Sequence, residues 1–373
     1  KAARNGLFIY NSGYALPWGA MEFGGTVVGH ANFNGSGTLP VNSFPFGASP
    51  FGCYQMAGNV SEWCANEVTD GFTVAGGSWK DLFYVFTDIG AFPGFHASDR
   101  IGFRCVRNFP GAIGDQGSAK IDTASQIPVY TPTSDASFQA LLSHYRYDHS
   151  PLEPQIVESI ETPDWKREKI SYLGGNDERA IGYLYLPKSA SPPFQVIQFV
   201  PAGDVYGNFN TVPESTEMQV APFIKSGRAV WAVVFKGFKE REHPAGYSPP
   251  RYVTVRRREE VVRNATDLSR GLDYLATRKD LELNRLAYYG YSQGAQEGQI
   301  YTAVEKRYRS VVFVAGSIPP GAGGWIAEAS PPKFAAHIRA PKLLLNGRYD
   351  EVNPIRTNVE PAFKLLREPK RMQ

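Results

Sequence analysis

The sequence has little cysteine, little net charge and no long apolar run, and each shortage excludes a class of protein. Its 373 residues include three cysteines, Cys53, Cys64 and Cys105, an odd number that does not fit a framework of disulfide bonds. A formal net charge of +3 does not favour a nucleic acid or a membrane surface as the partner. No apolar run is long enough to span a bilayer, and no signal peptide is visible at Lys1. Small molecules are therefore the expected partners, for a chain long enough to form two domains with cores of their own.

The most informative motif is the G-x-S-x-G pentapeptide at residues 290–294. It follows the apolar run 285–290, typical of a buried strand, and leads into residues 293–307, which lack proline and favour a helix. Such a junction presents Ser292 at a helix N-terminus, where unpaired N–H groups favour negative charge. The bare pattern arises by chance roughly 0.2 to 0.3 times in a chain of this length, so its context carries the prediction. We interpret Ser292 as a candidate nucleophile; the alternative is an ordinary turn with a capping serine.

The segments around this motif predict an α/β fold with a doubly wound, mostly parallel sheet. Residues 195–200 are typical of a strand that leads into the loop 201–204, where Gly203 and Asp204 are placed to donate a backbone N–H to an oxyanion. The N–H of Gln293, the residue after the candidate nucleophile, is the second expected donor. Further strands are predicted at 229–235, 310–314 and 341–346.

One long helix is predicted between two of these strands. Apolar residues recur at helical spacing over about residues 252–277, which indicates an amphipathic helix packed on the sheet. Its basic run, three arginines at 256–258, is followed at once by Glu259 and Glu260. We interpret this run as a solvated helix face and not as a nucleic-acid site.

A carboxylate follows the last predicted core strand. Asp350 comes shortly after the strand 341–346, which is where the acid of a Ser-His-Asp triad belongs in this fold. Such an acid fixes the tautomer and orientation of a histidine. We expect Asp350 to have this role; the alternative is that it caps the helix after Asn353-Pro354.

Several short motifs of the second half resemble the α/β-hydrolase module found at the C-terminus of large bacterial multidomain proteins. The resemblance covers about residues 152–373 and implies a serine esterase without a cofactor, preceded by further domains of a longer parent protein. In that family a protein kinase domain and a domain like the formylglycine-generating enzyme commonly come before the module. The motifs are Trp165-Lys-Arg-Glu168, Glu178-Arg179, Tyr183-Leu-Tyr-Leu-Pro187, Ser226-Gly-Arg228, Lys236-Gly237, Glu240-Arg241, Asp273-Tyr-Leu275, Arg278 and Asn346-Gly-Arg-Tyr-Asp350.

Three ordered motifs of the first third resemble the C-terminal part of a formylglycine-generating-enzyme (sulfatase-modifying) domain. They are Pro50-Phe-Gly-Cys-Tyr-Gln-Met-Ala-Gly-Asn-Val-Ser-Glu-Trp63, Gly76-Gly-Ser-Trp79 and Ile101-Gly-Phe-Arg-Cys-Val-Arg107. Active members of that family bind copper through two thiolates, because Cu(I) prefers soft ligands. The matching positions here are Asp81 and Phe86, so we expect a non-catalytic module. Asn59 and Glu62 match a calcium-site region of the family; equally, they could only hydrogen-bond their loop.

The expected domain boundaries follow from these resemblances and from composition. Residues 1–110 form a partial formylglycine-generating-enzyme-like domain, and 151–373 form the hydrolase. Between them, 111–150 is a linker, rich in Gly, Ser, Thr and Pro over its first half, with a short helix at 138–147.

Histidine is missing where the order of a hydrolase triad requires it. That order is serine, acid, histidine, yet all six histidines precede Asp350. Residues 365–371 resemble the segment just before the family's histidine loop, so we expect the base to lie beyond Gln373 and the chain to be cut short at both ends. The alternative is that His243 or His337 lies beside Ser292 and Asp350. The six are His30, His96, His144, His149, His243 and His337.

The predicted function is that of a serine carboxylesterase. Its acyl pocket is expected to be small and apolar, with Trp325, Arg241 and His243 as candidate lining residues. Two alternatives remain at this point: a sulfatase-activating oxidase, opposed by the missing cysteines, and a non-catalytic binding or output module of a signalling protein.

Overall fold

The computed structural model of the chain divides it into two compact units, Lys1–Ile127 and Pro128–Gln373. The residues whose structure is described are 15–20, 29–68, 71–81, 89–107, 127–175, 178–203, 210–242, 252–319, 321–347, 350 and 353–373.

The first unit is small and built from short strands. A two-stranded antiparallel ribbon joins β1 (Ala15–Leu16) to β2 (Gly19–Ala20). A second sheet has the order β5-β4-β3-β6, in which only the β3–β6 pairing is parallel among the described strands. Its strands are β3 (Ser61–Val68), β4 (Gly71–Ala75), β5 (Ile89–Phe92) and β6 (Ile101–Gly102). This irregular architecture agrees with the smaller N-terminal domain that the sequence predicts.

The second unit contains a sheet of nine described strands in the order β15-β14-β13-β12-β10-β11-β9-β8-β7. From β15 to β11 neighbouring strands are parallel, and from β11 to β7 they are antiparallel. The sheet is therefore mostly parallel, as predicted. The strands are β7 (Gln155–Glu161), β8 (Trp165–Leu173), β9 (Arg179–Pro187), β10 (Phe194–Val200), β11 (Ala229–Val234), β12 (Leu281–Tyr291), β13 (Ser310–Val314), β14 (Lys342–Leu345) and β15 (Lys370–Met372).

The central strands β10 and β11 are mostly apolar because both faces of the sheet are covered. Every residue of β11 is buried, and in β10 only Gln195 is partly accessible. Strands buried on both faces lose the apolar and polar alternation of a half-exposed strand. Burial of Trp231 and Phe199 here adds about 1.5–3 kcal/mol for each large side chain.

Helices connect the strands and pack against the sheet. The helix predicted over 252–277 is α3, and it begins where the Thr254 hydroxyl accepts a hydrogen bond from the Arg257 N–H at 3.3 Å. The helix predicted after the G-x-S-x-G motif is α4, which is shorter than expected. The helices are α1 (Asp135–Leu142), α2 (Val212–Lys225), α3 (Val255–Ala276), α4 (Gln293–Val304), α5 (Pro331–Phe334) and α6 (Glu360–Leu365), with a π-helical turn at Ile355–Val359.

The short helix α1 belongs to the second unit and not to a linker. Phe138 is buried in the unit's core, and its ring meets Phe334 edge-on at 5.8 Å between centroids. Tyr145, just after the helix, is also buried there. The sequence placed this helix in the linker 111–150 because the apolar partners of Phe138 lie about two hundred residues away along the chain.

The basic run at the start of α3 also differs from its prediction. Arg256 is exposed, but Arg257 is only 8% exposed and pairs with two carboxylates. The solvated-face interpretation is therefore wrong for Arg257. Among the described residues, no helix is both long enough and apolar enough to cross a membrane.

Candidate active site

Ser292 occupies a strained turn between β12 and α4. Its backbone has φ 52° and ψ −111°, a conformation that residues with a side chain rarely adopt. Such strain costs on the order of 1–3 kcal/mol and persists only where the surroundings impose it. Here the Ser292 N–H donates to the Val314 carbonyl at 2.8 Å, and the Ser292 carbonyl accepts from Ala295 and Gln296 at 2.9 Å. The turn presents Ser292 at the carboxyl end of β12.

The glycines of the motif are required by close backbone contacts. A Cβ on Gly290 would lie 2.3 Å from the Gly294 carbonyl oxygen, and one on Gly294 would lie 2.1 Å from the Val200 carbonyl oxygen. Both distances are far below van der Waals contact. The glycine–serine–glycine pattern therefore lets the strand, the turn and the end of β10 approach one another.

The loop after β10 lies against the residue that follows Ser292. A Cβ on Gly203 would lie 2.4 Å from Oε1 of Gln293, so this loop and the start of α4 are in contact. Gln293 is the first residue of α4, and the first N–H groups of a helix have no carbonyl partner within the helix. The structure thus brings together Gly203 and Gln293, two of the three predicted oxyanion-hole residues. The third, Asp204, lies outside the described residues.

A buried hydrogen-bond network centred on Glu297 holds the side chain of Gln293 in place. The Gln293 side-chain amide donates to Oε1 of Glu297 at 2.9 Å, and the Tyr301 hydroxyl donates to Oε2 at 2.5 Å. The Arg257 guanidinium also donates to Glu297, and it donates to Glu260 at 2.5 Å. Burial opposes ionisation of Glu297, but the positive charge of Arg257 and the hydrogen bonds from Tyr301, Gln293 and Arg257 together outweigh it and hold the Glu297 pKa below its ordinary value.

Sequence reasoning missed this network, although part of it has a visible pattern. Gln293, Glu297 and Tyr301 recur every four residues, which places them on one face of α4. Arg257 comes from a helix 40 residues earlier, and nothing local marks it as buried. The cavity between this network and the loop after β10 measures only about 10 Å³, which is about the space of one water. The network is therefore a packed support and not a substrate pocket.

Asp350 lies at the same edge of the sheet as Ser292. It follows β14, which is separated from β12 by the single strand β13, so the two strand ends are about 10 Å apart. An imidazole between the two loops could bridge this spacing. Oδ1 of Asp350 also accepts the backbone N–H of Asn353 at 2.8 Å, as the alternative of a turn-capping role requires.

The described histidines of the second unit have partners elsewhere. His337 bonds the Thr133 carbonyl at 2.8 Å and stacks on Phe138 at 3.8 Å, and it precedes β14, at the edge of the sheet opposite Ser292. His337 is therefore wrong as the alternative base. His144 lies 3.6 Å from Glu328, and His149 lies 3.8 Å from Asp273. His243 lies outside the described residues.

The other two pocket candidates have structural partners. Arg241 is only 7% exposed, and its Nη1 donates to Asp267 at 2.7 Å and to the Val234 carbonyl at 2.8 Å. A guanidinium held this way is not available to a substrate, so the structure does not support Arg241 as a pocket residue. Trp325 stacks on Tyr252 with 3.8 Å between the ring centroids. The Arg257 guanidinium lies over the Tyr252 ring, 5.2 Å from its centroid.

In the first unit, the candidate metal residues make hydrogen bonds with protein groups. Oδ1 of the Asn59 side chain accepts from the Leu39 N–H at 2.8 Å, and Glu62 accepts from Nε of Arg104 at 2.6 Å. A carboxylate paired with a guanidinium fits the loop-bonding alternative better than a calcium ligand. Asp81 accepts from the Ser78 hydroxyl at 2.6 Å, while Phe86 lies outside the described residues. No group of three or more metal-ligating side chains occurs in the described parts of the chain.

Comparison with known proteins supports both halves of the sequence interpretation. Residues 1–109 match the family described as the sulfatase-modifying factor enzyme 1-like domain. No curated protein matches the chain significantly.

Two solved structures share the fold of the second unit. An acetyl xylan esterase from Paenibacillus sp. R4 superposes with a TM-score of 0.51 at 18% identity, covering 67% of this chain and 90% of that one. Acetyl xylan esterase 1 from Thermoanaerobacterium sp. JW/SL YS485 gives a TM-score of 0.51 at 14% identity, covering 66% and 88%. The predicted N-terminal resemblance is thus confirmed, and the rest of the chain has the α/β-hydrolase fold.

Proposed function

We propose that the second unit is a serine carboxylesterase that hydrolyses small carboxylic esters through an acyl-enzyme on Ser292. The observation that carries the proposal is the strained turn of Ser292, held between β12 and α4 with Gly203 packed against Gln293. Strain of this kind clusters at functional sites. An ordinary capping serine does not need a left-handed backbone at the tip of a turn.

In the proposed reaction, Oγ of Ser292 attacks the ester carbonyl carbon and a tetrahedral oxyanion forms. The N–H of Gln293 and an N–H of the loop at Gly203 and Asp204 donate hydrogen bonds to this oxyanion. The general base takes the proton of the Ser292 hydroxyl during the attack. When the intermediate collapses, the ester C–O bond breaks, the leaving alkoxide takes that proton and departs as the alcohol, and the acyl group stays on Ser292. Water then attacks the acyl-enzyme and releases the carboxylic acid. Each oxyanion donor typically contributes about 3–4 kcal/mol to lowering the barrier.

Asp350 is proposed as the group that orients the general base. Its position two strands away from the strand that precedes Ser292 fits a histidine held between the two loops. We propose that this histidine follows β15, as the resemblance of residues 365–371 implies. This strand ends at the same edge of the sheet, where Gln373 pairs with Asn346.

Acetate esters are the proposed first substrates. The two structures compared above, each with a TM-score of 0.51, are acetyl xylan esterases by name. Their identities of 18% and 14% establish the fold alone, so acetyl specificity belongs to the proposal. The aromatic pair of Trp325 and Tyr252 is the candidate apolar surface for the substrate.

Covalent labelling with a fluorophosphonate tests this function. The wild-type chain should label at Ser292, and Ser292→Ala should remain folded and lose the label. Ser310→Ala is the matched control, because Ser310 begins the neighbouring strand at the opposite edge and should not affect labelling. Hydrolysis of p-nitrophenyl esters from acetate upward then gives the chain-length preference. Labelling that survives in Ser292→Ala, or ester hydrolysis at the wild-type rate, would overturn the assignment.

A further inference from the structure

We propose that the second unit carries a second binding site, for a small organic anion, at the edge of the sheet opposite Ser292. The site is a cavity of about 360 Å³ between α1, the end of α4 and the segments that enter β13 and β14. Ligand sites for small molecules begin at about this size. The residues that carry the argument are Lys306, Arg309, Arg339, Glu305, Phe138 and Pro341.

The topology separates this cavity from the candidate active site. Arg309 directly precedes β13, and Pro341 directly precedes β14, so both lie at the amino ends of their strands. Ser292 and Asp350 follow the carboxyl ends of β12 and β14. The five residues of β13 extend over on the order of 15 Å. A ligand in this cavity therefore does not touch the proposed nucleophile.

The cavity is lined by cations that lack carboxylate partners. Lys306, Arg309 and Arg339 all contribute to its wall, and none has an ion pair with any residue that the structure describes. Three like charges around one concave surface repel one another and create a positive potential inside it. Binding of an anion would relieve that repulsion.

Glu305, the one carboxylate among the described residues of the wall, is already neutralised. Glu305 accepts from the Arg307 guanidinium at 2.6 Å and from the Ser269 hydroxyl at 3.0 Å. Burial opposes its ionisation, but the hydrogen bonds and the charge of Arg307 lower its pKa. Arg307 also pairs with Asp273 at 2.6 Å, so it belongs to a closed network. Glu305 therefore cannot serve as the counter-ion of the three free cations.

The apolar part of the cavity wall indicates which kind of anion would fit. Phe138, Leu142, Ala303, Ala340 and Pro341 supply apolar surface next to the charged groups. Guanidinium groups bind carboxylate and phosphate oxygens in pairs. The ligand class is therefore an organic phosphate or carboxylate with a small apolar body, and the shared chemistry is an oxyanion attached to an apolar group.

Calorimetric titration of the 373-residue chain tests the site with three matched probes. Phenyl phosphate and benzoate carry the anion on an aromatic ring, and benzamide is the neutral control. We expect one or both anions to bind with a dissociation constant of about 1 mM or tighter at low salt, and benzamide not to bind. Stronger binding of phenyl phosphate than of benzoate would identify phosphate as the preferred group.

Substitution of the arginines locates the binding. Arg309→Met and Arg339→Met should each weaken the anion about tenfold, because each removes a charge-assisted hydrogen bond. Arg285→Met is the control. Arg285 is an exposed residue in the first half of β12 and does not line the cavity, so binding should be unchanged. All three variants replace exposed side chains, and their melting temperatures check folding. Absence of anion binding at about 10 mM, equal binding of benzamide, or equal weakening by Arg285→Met would each overturn the site.

Discussion

In the second unit, charged groups are paired at the carboxyl ends of the parallel strands, next to Ser292, and unpaired among the described residues at the amino ends, around the cavity. Next to Ser292, Gln293 and Arg257 both donate to the buried carboxylate of Glu297. At the other edge, Lys306, Arg309 and Arg339 surround a cavity without a carboxylate partner among the described residues. Paired groups hold a fixed geometry, which suits a site whose donors must be in place before the reaction. Unpaired groups of one sign leave binding energy available for a ligand.

The largest expected effect separates the two roles open to Asp350. Asp350→Asn keeps an oxygen that can accept the Asn353 N–H, so a purely turn-capping residue should tolerate it. A triad acid should not, because an amide holds the histidine in the wrong tautomer and lowers kcat by on the order of 10⁴. Steady-state hydrolysis of p-nitrophenyl acetate by a chain that carries the histidine expected after β15 measures the difference. Unchanged kcat in a folded Asp350→Asn protein would assign Asp350 to the turn alone.

The second effect concerns the paired network beside Ser292. Arg257→Met leaves the Glu297 carboxylate buried without its cation, and we expect a loss of about 3–5 kcal/mol in the free energy of unfolding. The double variant Arg257→Met/Glu297→Met should recover most of this loss, because the fully buried carboxylate is then gone and only the more accessible Glu260 loses its contact with Arg257. Urea denaturation measures both, with Arg285→Met as the exposed control. Equal stability of Arg257→Met and the control would contradict the pairing.

The same network predicts a pH dependence of stability. The Glu297 pKa lies below its ordinary 4.5 in the folded protein, so its contribution is present above pH 4.5 and is lost as the pH falls through the lowered pKa. Unfolding free energies of the wild type and of the double variant should therefore converge in acid. Parallel curves down to low pH would show that the carboxylate is not stabilised by its partners.

A third, smaller effect tests the close packing of the turn itself. Gly294→Ala puts a methyl group 2.1 Å from the Val200 carbonyl oxygen, where backbone must move. We expect a loss of about 1–3 kcal/mol in stability together with lower esterase activity. Gly324→Ala is the matched control, since no atom lies within 4 Å of its added Cβ. Two variants of equal stability and activity would mean that the turn is not tightly packed.

The smallest effect lies at the start of β14, at the amino ends of the parallel strands. Burial lowers the pKa of Lys342 to about 8, while its ammonium donates to the carbonyls of Ile338 and Arg367. Between pH 8 and the ordinary 10.5 the unfolded chain binds more protons than the folded one, so this group makes stability rise with pH. Lys342→Met should remove that rise. Urea denaturation at several pH values shows it as a difference between the two curves, and identical slopes would contradict the lowered pKa.

Much of the parallel core could be predicted from the sequence because each element is a local pattern. The strand Ser310–Val314 has the predicted bounds, and the Gly290-to-Gly294 motif does lie at a strand-to-helix turn. No strand is predicted over β7 to β9, and in β7 and β8 charged residues interrupt the apolar alternation. In β8, for example, Lys169 reaches Glu240 at 2.7 Å, a partner 71 residues away.

The candidate site was predictable only where its residues are neighbours in sequence. Ser292, Gln293 and Gly203 belong to recognisable loops, and the structure places Gly203 against Gln293. Arg257 was misassigned as solvated because its burial depends on α4, which comes later in the chain. The cationic cavity combines residues from three distant segments, so no single stretch of sequence indicates it.

The most direct test of the proposed nucleophile is to trap the acyl-enzyme. Mixing the protein with p-nitrophenyl acetate, quenching in acid within the first turnover and digesting it should yield the peptide containing Ser292 with one added acetyl group. The mass increase should be absent in Ser292→Ala. The acetylated peptide should accumulate most when deacylation is slow. An unmodified Ser292 peptide, recovered while p-nitrophenol is still released at the full rate, would contradict the account.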